Sequence, residues 1–149
     1  DRRAYFYADR KAGEFIAWRQ PTATIARVGV VVGKEGNPQT LYYHLETAEG
    51  AELAFGPIAT AAQIGHIPTW AYATLRGVTL EEGKSYRLWF DSPDSPNAKN
   101  CFYQFVPYGE HRPPEWLECG WGGTASYYTD FIDGAWQARL NADMSFSLR

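Results

Sequence analysis

Apolar and polar residues alternate with a period of two over most of the first hundred positions, the signature of strands with one face in a core. The clearest case is Tyr86 to Phe90, where Tyr86, Leu88 and Phe90 share one side and Arg87 and Trp89 the other. It follows Glu81-Glu82-Gly83-Lys84, a polar turn whose glycine adopts positive φ at little cost. Thr24–Gly33 reads as a core strand with Val28, Val30 and Val32 on one face and Arg27 and Val31 on the other. Leu41–Leu45 puts Leu41, Tyr43 and Leu45 inward and Tyr42 and His44 outward.

The remaining elements are shorter. Arg3–Ala8 and Glu14–Arg19 read as strands separated by a break at Lys11-Ala12-Gly13, and a short strand falls at Leu53–Phe55. Ala59–Ile64 could form a helical turn between Pro57 and Pro68, and Trp70–Leu75 returns to strand, where Trp70 and Tyr72 can face either way and the core is favoured. Cys101–Val106 reads as a two-faced strand with Gln104 pointing outward. Tyr127–Ile132, Ala135–Leu140 and Met144–Leu148 close the chain, the first two joined at Asp133-Gly134, a strong hairpin signal. Trp18 and Trp136 read as core or edge-packing residues.

About ten short strands, with turn signals roughly every ten residues and no amphipathic helix of useful length, predict an all-β protein. The expected fold is an antiparallel β-sandwich of the jelly-roll type, formed by residues 1–149 as a single domain excised from a longer chain. Composition agrees: of 149 residues, six are Trp, ten Tyr and eight Phe, and aromatic side chains suit pleated surfaces. The net charge is −3 with no basic cluster, which argues against nucleic acid as a partner. No apolar run reaches 18 residues, so no membrane-spanning helix is expected.

Taken in order, several segments resemble a known group. They are Ile-Ala-Arg-Val-Gly-Val, Leu-Tyr-Tyr-His-Leu-Glu with Gly50 and Leu53-Ala54, Trp70-Ala71, Val78-Thr79-Leu80, Gly83–Leu88, and Asn100 before an aromatic strand. Over residues 14–106 this is similar to the jelly-roll accessory domains beside catalytic domains of secreted bacterial hydrolases, themselves similar to galactose-binding-like carbohydrate-binding modules. The resemblance implies a fold and a partner class, an oligo- or polysaccharide together with an attached catalytic domain, in a secreted or extracellular setting. It transfers no functional residue.

The residues themselves point the same way. Sugar rings stack their C–H faces on Trp and Tyr while polar side chains address hydroxyls. Trp89, Arg87, Tyr42, His44 and Gln104 are the expected outward set, and Trp116 and Trp121 in a Gly-rich loop are a second candidate platform. Against each stands a packing role. An enzyme is disfavoured: no Gly-x-Ser-x-Gly elbow or His-Glu-x-x-His motif occurs, and the carboxylates fall mostly in turns. A small lyase or glycosidase using Tyr42, His44 and Arg87 is the catalytic alternative, and a structural or protein-interaction domain the non-catalytic one.

No cofactor is expected. Asp91, Asp94 and Asn97 gather oxygen donors of the kind calcium takes, although Asx turns account for the same residues. Cys101 and Cys119 are the only cysteines and fit no zinc spacing, leaving one disulfide or two buried thiols.

Overall fold

The computed structural model describes residues 2–106, 125–139 and 144–149, with residues 2, 125–128 and 139 as backbone alone. Among the described residues there is no helix. The strands are β1 (Arg2–Phe6), β2 (Lys11–Ala17), β3 (Ala23–Glu35), β4 (Leu41–Thr47), β5 (Glu52–Ala59), β6 (Thr69–Leu80), β7 (Ser85–Asp91), β8 (Cys101–Val106), β9 (Ala125–Ile132), β10 (Ala135–Arg139) and β11 (Phe146–Leu148).

They form two antiparallel sheets packed as a β-sandwich. One runs β1-β8-β3, with β6 on the far edge of β3 and β11 sharing the β8 side; the other runs β10-β9-β2-β7-β4-β5. Most successive strands lie in opposite sheets, so the turns carry the chain across the core. The turn after β6 does this, and Gly83 has φ +85° within it. Among the described residues only β4–β5 and β9–β10 are hairpins. The second closes through Asp133 and Gly134 at φ +53° and +80°, the paired positive values of a two-residue hairpin loop matched to strand twist.

The core is what alternation predicts. Val28, Val30 and Val32 of β3, Leu41, Tyr43 and Leu45 of β4, and Tyr86, Leu88 and Phe90 of β7 are all buried between the sheets. Trp18 is also buried, its indole N–H donating to the Pro21 carbonyl at 3.2 Å.

Several boundaries differ from expectation. Lys11, Ala12 and Gly13 do not break the chain: they open β2, because both β7 and β9 pair with this segment and supply its ladder partners. The stretch 60–64 makes a hydrogen-bonded turn, with Gln63 capping Thr60, between β5 and the longer β6. Strand β8 is covered on both faces. Its core side carries Phe102, Gln104 and Val106, so Gln104 is 1% exposed and points into the protein. There it donates to the carbonyls of Val31 (2.6 Å) and Ser145 (3.0 Å) and accepts from Ser145 N–H, bridging β3 and the segment leading into β11.

Candidate functional site

The outer face of the six-stranded sheet collects aromatic and charged side chains from all six of its strands. The β4–β7 register places His44 opposite Trp89, Tyr42 opposite Asp91 and Glu46 opposite Arg87. Tyr42, His44, Arg87 and Trp89 are thus brought together as expected. The His44 ring lies parallel to the Trp89 indole, 3.6 Å between centroids and 2° between planes. Its Nε2 is 2.8 Å from Asp91 Oδ1. Phe55 of β5 packs on the other side, 4.8 Å from His44 and stacked on Tyr42 at 5.5 Å.

Across β2 the face continues. Gly13 is the register partner of both Trp89 and Thr129, and Trp89 lies against it; a Cβ there would overlap the Leu88 carbonyl oxygen and come within 2.5 Å of Trp89 Cβ. The missing side chain lets Trp89 approach Trp136 of β10, edge to face at 5.8 Å, and Trp136 in turn meets Phe131 at 5.5 Å. The result is a row of six rings: Phe55, Tyr42, His44, Trp89, Trp136 and Phe131.

Two cations lie along this row. Lys11 Nζ is 4.2 Å from the Phe131 centroid, 4.5 Å from Trp89 and 5.6 Å from Trp136. The Arg87 guanidinium is 4.7 Å from Trp136 and faces Glu46 at 3.8 Å. Ring quadrupoles attract both charges where water is partly excluded. Yet Trp89 Nε1, Arg87 Nε and Thr129 Oγ1 are buried with no hydrogen-bond partner among the described residues. Buried donors are ordinarily satisfied by protein, water or ligand.

Other expectations need correction. Gln104 is no part of this face: the apolar residues on both sides of β8 made its phase ambiguous, and the inward phase wins. Trp70 and Tyr72 are not core residues. They stand on the outer face of the other sheet, 41% and 44% exposed, parallel within 8°, with the Arg27 guanidinium 3.6 Å from the Tyr72 ring. Among the described residues Cys101 is a free buried thiol donating to the Ala98 carbonyl, its pKa pushed up to about 11 by burial. Cys119, Trp116 and Trp121 lie outside the described residues.

Of the proposed calcium ligands, Asp91 and Asn97 are engaged in hydrogen bonds within the protein. Asp91 holds His44, Asp94 is exposed, and Asn97 Oδ1 accepts from Lys99 N–H and Asn100 Nδ2 in an Asx turn. Among the described residues no three His, Cys, Asp or Glu side chains converge on one point.

Lys11, Phe55, Phe131 and Trp136 are members of the face that sequence reasoning did not assign to it. The phase of β2 was legible in Lys11, Gly13 and Phe15 alternating with Ala12 and Ile16. It was obscured by Glu14, a carboxylate at an inward position that accepts the Met144 N–H at 2.9 Å. No protein-family model matches the chain, and no curated protein matches it either.

Proposed function

We propose that this protein is a non-catalytic carbohydrate-binding module. It takes a glycan on the outer face of the six-stranded sheet and holds an attached catalytic domain near that polymer outside the cell. The observation that carries the reading is the pair of donors, Trp89 Nε1 and Arg87 Nε, left without partners among the described residues within a row of aromatic rings. Sugar hydroxyl oxygens accept such donors, and sugar C–H faces match the rings. Phe55, 51% exposed, offers the most open ring of the row.

The strand order supports the finer fold assignment. Setting aside β9–β11, the orders β1-β8-β3-β6 and β2-β7-β4-β5 alternate the eight strands between two sheets as a jelly roll does. On this reading the β9–β10 hairpin extends the binding sheet and supplies Trp136. A site of a few stacked rings and hydrogen bonds binds weakly alone, and tethering to a catalytic partner raises its effective concentration.

A second reading, a domain that packs on a neighbouring domain and binds no ligand, is favoured by one observation. His44 already covers one face of Trp89, so that indole is engaged within the protein. Affinity electrophoresis of the isolated protein in gels containing soluble glucans, mannans, xylans and pectins separates the two. Retardation by one polymer, reduced by Trp136→Ala and Arg87→Ala, supports the module. Unretarded migration throughout the panel supports the packing domain, and release of reducing ends from any polymer contradicts the non-catalytic assignment.

A further inference from the structure

The sandwich is open along the seam between β5 and β6, the edge strands that pair only with β4 and β3. A groove of about 500 Å³ runs along this seam, within the range of small-molecule sites. Phe55, Pro57, Gln63, Tyr72 and Thr74 line it, Phe55 and Tyr72 being largely exposed rings. Its floor is Tyr43 with Gly56, which are register partners. A Cβ on Gly56 would sit 3.3 Å from Tyr43 Cε1 and Oη, so the absent side chain is what lets the Tyr43 ring carry its hydroxyl past β5 to the groove. Tyr43 is 6% exposed, and its hydroxyl makes no hydrogen bond among the described residues. Burial raises the phenol's pKa, so the group stays a neutral donor and acceptor.

From this geometry we infer that the β5–β6 seam, which meets the outer face at Phe55, is a second binding site for a neutral oligosaccharide, with a sugar ring resting on Phe55 and Tyr72 and one hydroxyl bonded to Tyr43 Oη. The side chains that line the groove are all uncharged, and the Arg27 guanidinium beside it is packed on the Tyr72 ring. Thr60, Thr74 and Gln63 provide uncharged hydrogen-bonding partners of the kind hydroxyls use. An extended peptide adding to β5 fits less well, because Pro57 removes a backbone donor from that edge. The inference does not depend on the outer face binding anything.

The test is isothermal titration of the whole protein with cellohexaose, mannohexaose, xylohexaose and hexagalacturonic acid. Binding of at least one neutral hexaose is expected, weakened roughly threefold to tenfold by Tyr43→Phe, which removes one hydroxyl and keeps the ring. Gly56→Ala, which raises the floor, and Tyr72→Ala, which removes an exposed ring, are expected to weaken it at least as much. Failure of all three neutral hexaoses to bind, preference for the acidic one, or undiminished affinity in both Tyr43→Phe and Tyr72→Ala overturns the inference. Loss in Trp136→Ala and Arg87→Ala with retention in Tyr43→Phe overturns it while supporting the outer-face reading.

Discussion

His44 and Trp89 are cross-strand partners whose rings lie face to face, and Asp91 fixes the imidazole in that orientation through a 2.8 Å contact. The pair ties β4 to β7 on the side of the sheet away from the core. Cross-strand aromatic contacts of this kind contribute about 0.5–1.5 kcal/mol beyond area burial. His44→Ala should therefore lower stability by about 1–2 kcal/mol in urea titrations and red-shift tryptophan emission as one indole face is uncovered. Unchanged stability and emission would mean the stack contributes nothing in solution.

Gly13 should tolerate no side chain. Gly13→Ala forces a methyl group into the Leu88 carbonyl and the Trp89 Cβ, backbone and near-backbone atoms that cannot swing away. A loss of about 2–3 kcal/mol is expected, with Trp89 displaced from Trp136. Gly50→Ala is the contrast: nothing lies near its Cβ, but φ is +91°, so only the left-handed backbone penalises it, by about 1 kcal/mol. Thermal unfolding of the two variants checks the order, and equal losses would contradict it.

Gln104 joins three elements through both ends of its amide. Gln104→Leu keeps the volume approximately but leaves the Val31 and Ser145 carbonyls and the Ser145 N–H without these partners. About 2–4 kcal/mol of stability should disappear, and amide exchange near residues 144–148 should accelerate first. Native-like exchange there would show that Gln104 is not what docks β11.

Burial holds the Cys101 thiol at a pKa of about 11, against an ordinary 9.0. A raised acid binds its proton more tightly in the folded state. Its contribution to stability is full below pH 9 and is lost as pH climbs through about 11. In a Cys119→Ser background, iodoacetamide at pH 8 should label the native protein far more slowly than the urea-unfolded one. Equal rates would place the thiol at the surface.

Much of the sandwich was legible because its strands keep strict phase. In Val28–Val32 of β3, Leu41–Leu45 of β4 and Tyr86–Phe90 of β7 every second residue is large and apolar, and the structure buries each of them. That phase also put Tyr42, His44, Arg87 and Trp89 on a common side, and the β4–β7 pairing supplied what spacing could not, their adjacency. Legibility failed where polarity and burial part company. Glu14 and Gln104 are inward polar residues bonded to backbone groups distant in sequence, so neither partner was visible from the local pattern. Trp70 and Tyr72 failed in the opposite sense: large rings lie exposed because Gly29 beneath them and Arg27 beside them supply the contacts. Trp136 depended on β9–β10 joining β2, a pairing across more than a hundred residues.

The glycan-binding account is tested most directly by the Trp89 indole N–H, which is buried in the outer face without a partner among the described residues. Its side-chain resonance, assigned through a Trp89→Phe variant, should be followed in ¹⁵N-correlated NMR spectra during titration with the polysaccharide fragment that binds. A saturable shift of that resonance, shared by the Arg87 Nε–H, is the predicted result. A fragment that binds to saturation while both resonances stay in place would contradict the outer-face site, and a panel from which nothing binds would contradict the function itself.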